Sequence, residues 1–440
     1  MYKIQVPPIR LPRLEKVKIP PLCRIQIKQP CPPGVEDIEL RVRAELEASI
    51  RLNALASGAR VAVAVGSRGI ASLGQVVQSA VAWLKERGLV PFIVPAMGSH
   101  GGGTAQGQQA LLHEIGISEE TVGTPVLSSM SVTRIGKTIH GIDCMFDAHA
   151  AGADALLVIN RVKSHTSFDR AHESGLIKML AVGLGKAEGA SNVHKLGARG
   201  LAEVLPALAE IALRELPIIY GLALVESERK ELIHIQGVEH DAFFSTEEEL
   251  LRLAKSRLPR LPFAQLDVLI VDIMGKNISG AGMDYAVTGR TDIRFVPNPD
   301  HIRVTKLGAL RLSPESHGNA MGIGLADFTT LALMRETDLQ ALYVNAFTST
   351  FVEKGKLPLI LPTEEDVFRA CLATCWQINT AGARLCCIRS TLDLSEMLIA
   401  PPLLKELKRQ ENMADHSEVE RISKFFPTVF SEKGELLVRP

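Results

Sequence analysis

Apolar residues recur along this chain with two different periods. Between residues 36 and 56, Ile38, Val42, Leu46 and Ile50 fall at four-residue spacing, which predicts a helix. Arg60–Val65 (RVAVAV) is a short run rich in β-branched residues and predicts a buried strand. Residues 72–87 return to the helical period, with Leu73, Val76, Val77, Ala80, Val81 and Leu84 on one face. Ser72 can cap that helix and Gly88 can end it. Residues 89–95 predict a second strand, and Thr104 caps a helix that stops at Gly116. Residues 155–159 (ALLVI) predict another buried strand, and 201–215 a strongly apolar helix. Strands that alternate with helices imply an α/β fold, its parallel sheet covered on both faces.

Residues 248–263 (EELLRLAKSRLPRLPF) predict a helix broken by Pro259 and Pro262, and a new strand begins at 268–271 (VLIV). The chain is therefore expected to hold two α/β domains, 1–262 and 263–440, with largely parallel sheets and an active-site cleft between them. The proline-rich start, 1–34, is expected to be an extended arm or an edge strand, because proline offers no ladder donor. Residues 405–419 are charged and helical in pattern, and the last twenty carry little signal. No internal repeat is present.

Composition narrows the function. Lys plus Arg (49) balance Asp plus Glu (49), which argues against a nucleic-acid partner because such a partner asks for a basic face. No apolar run reaches the ~18–20 residues of a membrane span. The N-terminus lacks a basic start followed by an apolar block, so a cytoplasmic location is expected. Seven scattered cysteines form neither a zinc-ribbon spacing nor a disulfide framework.

The candidate chemistry lies where strands give way to polar, glycine-rich segments, since open α/β sheets bind ligands beyond the carboxyl ends of their strands. The first strand runs into Gly66-Ser67-Arg68-Gly69, the second into Met97-Gly98-Ser99-His100-Gly101-Gly102-Gly103, and the third into Asn160-Arg161-Val162-Lys163-Ser164-His165. Arg68, His100 and His165 would share one sheet edge. A single histidine after a strand is more often a surface or capping residue; three convergent segments favour a site. The stretch after His165 adds His172, Lys178, Lys186, His194 and glycines costly in a plain helix, by roughly 1 kcal/mol each. Gly183 to Gly189 reads as GxGxxxG, too loose and too deep in the chain for a standard nicotinamide site. In the second domain, Asp272 to Gly280 is again a polar loop after a strand. From it Lys276, and further on Arg290, could face a cleft or simply be solvated.

The ordered set Ser67-Arg68, AMGSHGGG with His100, VKSH with His165, SGLIK with Lys178, and His194 resembles the nickel-pincer nucleotide-dependent lactate racemase family. The likeness extends to the GKNISGAGMD segment, and the order and the Lys178–His194 spacing are more specific than any single motif. The resemblance implies a racemase or epimerase of a small 2-hydroxy acid. It implies a nickel-pincer nucleotide, a pyridinium-3,5-bisthiocarboxylic acid mononucleotide with nickel, tethered to Lys178 near Ser174 and Gly175. His194 would be the protein's nickel ligand, completing a planar centre of a kind that suits Ni(II). His100 and His165 would be opposed acid/bases, one for each enantiomer, while hydride passes reversibly between substrate and cofactor. Arg68 would orient substrate, and Lys276 and Arg290 would balance its carboxylate. The partners implied are the small-molecule acid and cofactor biosynthesis proteins.

The chain departs from the family's lactate-specific pattern. Val65 stands where an acidic residue is usual, three positions before the arginine, and Ser174-Gly175-Leu176-Ile177-Lys178 lacks the tighter glycine pair before the lysine. These changes leave the substrate open among larger, dicarboxylic or sugar-derived hydroxy acids, and leave covalent attachment and the choice between Lys178 and Lys186 open. Two other readings compete. One is a non-catalytic relative that binds a nucleotide or organic acid, which would not need both His100 and His165. The other is a metal-dependent hydrolase with His100, His165 and His194 around zinc, for which the closely spaced HExxH or HxH pairs are absent.

Overall fold

The computed structural model describes residues 9, 11–28, 32–66, 69–227, 230–410 and 418–440, with only the backbone described at 194, 218, 219, 410 and 418. Among these residues the strands are β1 (Cys23–Lys28), β2 (Arg60–Val65), β3 (Val90–Pro95), β4 (Val132–Lys137), β5 (Asp143–Asp147), β6 (Ala155–Arg161), β7 (Ile218–Glu226), β8 (Leu232–Glu239), β9 (Gln265–Met274), β10 (Arg303–Leu312), β11 (Phe328–Thr330), β12 (Leu359–Leu361), β13 (Leu385–Ile388), β14 (Glu396–Ile399) and β15 (Glu418–Ile422). The chain divides into two compact α/β units.

The first unit comprises Cys31–His165 and Asp169–Leu258. Its main sheet runs β3-β2-β6-β7-β8, parallel except for the last pair. β2 and β6 are buried nearly throughout, as strands covered on both faces must be. Helix Leu73–Glu86 lays Leu73, Val76, Val77, Ala80, Val81 and Leu84 into one core with Val61, Val63 and Val65. Burying each of the larger side chains contributes about 1.5–3 kcal/mol, so this layer fixes where β2 ends and its loop begins. Ser72 holds the cap position in a left-handed conformation (φ 54°) but makes no side-chain cap bond. Thr104 does cap its helix, Ala105–Glu114, accepting from the Gly107 amide at 3.1 Å.

The helix expected over 36–56 is two helices, Ile38–Glu47 and Ile50–Asn53. The break is chemical. Ser49 is fully buried, caps the second helix through Leu52 N, and donates to Glu239 Oε1 at 3.0 Å. The Ile50 amide donates to the same oxygen, and an unbroken helix would forfeit that set of bonds.

The second unit takes the chain from Pro259 onward, with Thr166–Phe168 and the first segment of the chain. Its sheet runs β12-β11-β10-β9-β13-β14-β1-β15, parallel from β12 to β13 and antiparallel beyond. This unit also takes β1. β1 is not an edge strand: it pairs with β14 on one side and β15 on the other. Alternation explains this, since Cys23, Ile25 and Ile27 all turn inward.

Of the expected 405–419 helix, 405–410 belong to helix Pro401–Gln410, 411–417 lie outside the described residues, and 418–419 instead open β15. The last residues, expected to carry little signal, are anchored. Arg439 forks to Glu364 at 2.9 Å and to Asp272, whose carboxylate is buried and also binds Arg311. Cys23, Cys144, Cys371, Cys375, Cys386 and Cys387 are buried and unpaired with one another.

Candidate active site

In the first unit, Val65 of β2 lies level with Pro95 of β3 and with Ile159 of β6. The segments that follow these three parallel strands therefore leave from one edge of the sheet, the edge at which open α/β sheets place ligands. Ser67 and Arg68 lie outside the described residues, and the residues just after them are held in place. Arg161, at the end of β6, donates to the Gly69 carbonyl at 2.7 Å and pairs with half-buried Glu226, which also accepts from the Ala71 amide.

The loop after β3 carries His100, exposed and extended, ahead of a tight turn over Gly101–Gly103. Gly98, Gly101, Gly102 and Gly103 all sit near φ +60°, a region that side chains disfavour. At Gly101 the turn also closes on itself: a Cβ there would come within 2.5–2.8 Å of the Gly107–Gln108 backbone. Gln108, fully buried, ties the loop down from inside by donating to the Gly98 carbonyl (2.8 Å) and the His100 carbonyl (3.4 Å).

The segment after β6 folds back on itself. The Lys163 amide donates to the Ser174 carbonyl at 2.8 Å, and the His165 and Arg170 amides both donate to the buried Glu173 carboxylate. Burial pushes the Glu173 carboxyl above its ordinary range, against the pull of Lys255, its ion-pair partner. His165 is thus half-buried at the neck of a closed loop. Asn160 Nδ2 reaches across to the Gly175 carbonyl at 2.8 Å, so β6 and the start of the next segment are joined directly.

Lys178 ends the short helix Leu176–Lys178, which runs straight into a π-helical turn, Met179–Gly183. Single π turns occur often at functional sites, and their irregularity needs support. Here the support is Glu247, whose buried Oε2 accepts from the Ile177 amide at 2.8 Å. Glu247 also explains Gly175: an added Cβ would lie 2.5 Å from Glu247 Cδ and closer still to Oε2. The absence of a side chain at 175 thus serves packing within this unit. The Lys178 amine is half-buried, and no hydrogen bond or ion pair engages it among the described residues. Burial pushes its pKa down, and the nearby Glu173 charge opposes that shift.

Lys186 differs in its partners, although burial pushes its pKa down as well. It is fully buried, in a left-handed backbone conformation (φ 54°), and paired with buried Asp147 at 3.1 Å. Its Nζ also donates to the Pro95 carbonyl and to Gln108 Oε1 (3.2 Å). The segment packs on the sheet edge: Gly98 N donates to the Gly183 carbonyl (3.0 Å), and Gly66 faces Met179. The loop bearing His100 and the segment after β6 that bears His165 therefore both meet the Lys178 segment. His194 is the last residue of helix Lys186–His194, and its side chain lies outside the description.

The other two expected substrate contacts, Lys276 and Arg290, lie in the second unit. Arg290 has several partners within that unit. Its guanidinium pairs with Asp327 at 2.8 Å and donates to the carbonyls of Val304, Thr305 and Leu325. Lys276 is half-buried and donates to the Gly280 carbonyl at 2.6 Å. Burial and the nearby Lys354 charge bring its pKa down to about 8, the behaviour of a cation that would gain from an anion. Among the described residues no three His, Cys, Asp or Glu side chains are grouped to hold a metal ion, although a centre asking one imidazole of the protein would form no such group. Nor is any helix among them long and apolar enough to cross a membrane.

Sequence reasoning missed Glu173, Glu247, Gln108 and Asp147, the four buried polar residues that hold the site's segments. The only hint of them was the density of glycines that they crowd against.

Fold and site together define a two-unit α/β protein with a glycine-rich site, bearing lysine and histidine, at the carboxyl edge of a parallel sheet. No family model matches the chain, and no curated protein matches it. Among solved structures, the lactate racemase apoprotein from Thermoanaerobacterium thermosaccharolyticum aligns over 82% of this chain and 95% of its own, at 14% identity and a TM-score of 0.43. That score does not establish a common fold, so the functional reading rests on the residues themselves.

Proposed function

We propose that the chain is an isomerase that inverts a small 2-hydroxy acid, with a lysine-tethered nickel-pincer nucleotide as its cofactor. The observation that carries this reading is the contrast between the two lysines. The Lys178 amine, among the segments that carry His100 and His165, has no hydrogen-bond or ion-pair partner among the described residues, and burial shifts it toward the neutral, nucleophilic form, as it does Lys186. Lys186 is held in a buried ion pair.

The residues present fit such a group. A neutral amine is what amide-type attachment requires, and Lys178 is set to supply one. Gly69 and Gly102 flank the same edge, and an added Cβ at either would meet nothing within 4 Å, so room remains there. Lys178 would hold the nucleotide covalently, with Ser174 and Gly175 beside it, and His194 would provide the protein's bond to nickel. When bound, the group supplies reversible hydride acceptance, the redox half of an inversion that is neutral overall.

The chain's own residues do the rest. His100 and His165 each take the hydroxyl proton from one enantiomer and return it to the other, which an imidazole can do in both directions near neutral pH. Arg68 orients the substrate, and Lys276 has the character of a carboxylate partner. The site belongs to the small-molecule class, and the proteins that build the cofactor are its expected partners.

The test is a chiral assay. Protein co-expressed with the cofactor-making proteins is offered enantiopure 2-hydroxy acids of increasing size. Conversion of one enantiomer to the other, lost in both directions in His100→Ala and in His165→Ala, is expected. Full inversion by either variant would remove that histidine from the mechanism.

A further inference from the structure

We propose that Lys186 is a positioning residue, whose buried ammonium ties the loop that carries His100 to the segment that carries Lys178. This rests on the functional reading above for its catalytic consequence, but the tie itself is visible in the packing.

Lys186 stands where three elements meet. It pairs with Asp147, which ends β5, accepts from the Ala150 amide, and through its own amide donates to the Leu184 carbonyl at 2.7 Å. It donates to the Pro95 carbonyl, the last residue of β3, at the root of the His100 loop. It also donates to Gln108, whose amide holds the Gly98 and His100 carbonyls. On the other side, Leu184 N donates back to Met179 O across the π turn next to Lys178. One cation thus closes a loop of bonds from His100 through Gln108, Lys186, Asp147 and Leu184 to the residue after Lys178.

Two features show that this placement is specific. Lys186 adopts a left-handed backbone conformation unusual for a residue with a side chain, and such strain persists only where surroundings over-determine it. It is also a lysine with no exposed surface, and a buried charge is tolerated only when paired and hydrogen-bonded. An apolar residue could fill the space, but it could not fasten Gln108 and Asp147 at once.

The test uses two variants with two readouts. Gln108→Glu keeps an acceptor for Lys186 and removes both donations to the His100 loop. Lys186→Met removes the centre of the tie. Amide hydrogen exchange, read on unloaded protein by mass spectrometry, covers segments 97–104 and 176–189. Gln108→Glu is expected to raise exchange at least tenfold in 97–104 alone, and Lys186→Met to raise it in both. In the loaded enzyme, Gln108→Glu is expected to keep the Lys178 adduct and to lower kcat at least tenfold with KM little changed. A general loss of structure would instead lower adduct and turnover together.

Wild-type exchange in both segments of Lys186→Met, or wild-type exchange and kcat in Gln108→Glu, overturns the proposal. Should Lys186→Met fail to fold, Gln108→Glu decides alone. Exchange as expected, with no adduct or turnover even in wild type, overturns the functional reading while the tie stands.

Discussion

Replacing Gly175 by alanine should damage the unit through a single carboxylate. The new Cβ would lie 2.5 Å from Glu247 Cδ and nearer still to Oε2, so the carboxylate must swing away. It has no free space to enter, because Glu247 is only 1% exposed. Moving it breaks the 2.8 Å bond from the Ile177 amide, a charge-assisted bond of about 1.5–3 kcal/mol. Overpacking alone costs about 1–3 kcal/mol. The two overlap, since relief of the clash is what breaks the bond, so the expected loss is roughly 2–4 kcal/mol. For a unit of this size that lowers Tm by about 5–15 °C. Urea unfolding followed by tryptophan fluorescence reads it, since Trp83 is buried in this unit while Trp376, in the other, is already 85% exposed. The decisive arm is Gly175→Ala in a Glu247→Ala background, where the same change should cost under ~1 kcal/mol, the difference being the coupling between the two positions. An equal cost in both backgrounds would refute the reasoning.

Other outcomes follow from the same geometry. Removing Arg439 leaves buried Asp272 and Glu364 short of a partner; Arg439→Ala should destabilise the second unit by roughly 3 kcal/mol in thermal unfolding, at the low end for a broken buried pair because this arginine is partly exposed. Lys276 should react with an amine-selective acylating reagent with a pH midpoint near 8, well below that of surface lysines. Between that value and the ordinary ~10.4 the unfolded chain binds the extra proton, so the stability difference between wild type and Lys276→Met should move in wild type's favour as pH rises through the window. A flat difference would show that folding does not hold Lys276 there.

Much of the fold was legible because buried parallel strands write themselves as unbroken β-branched runs. RVAVAV and ALLVI mark β2 and the start of β6, and the helices between them keep one apolar face. β1 was harder, since the prolines on either side of it suggested an edge while its inward alternation placed it between β14 and β15. The site's strand-following segments were legible from their glycines. The groups that hold them were not, because each partnership spans a long stretch of chain: Glu247 to Ile177 over 70 residues, Gln108 to Lys186 over 78. The same limit left Lys186 standing as a rival to Lys178, since its pairing with Asp147 is not written in the local sequence. The pairing of Arg290 with Asp327, distant in sequence, was hidden for the same reason.

The central claim is that Lys178, not Lys186, is the reactive amine of the site. Peptide mapping by mass spectrometry, on protein made together with the cofactor-building enzymes, tests it most directly. A single adduct on the peptide bearing Lys178, absent from Lys178→Ala, is the predicted result. An adduct on Lys186, or an unmodified chain under those conditions, would contradict it.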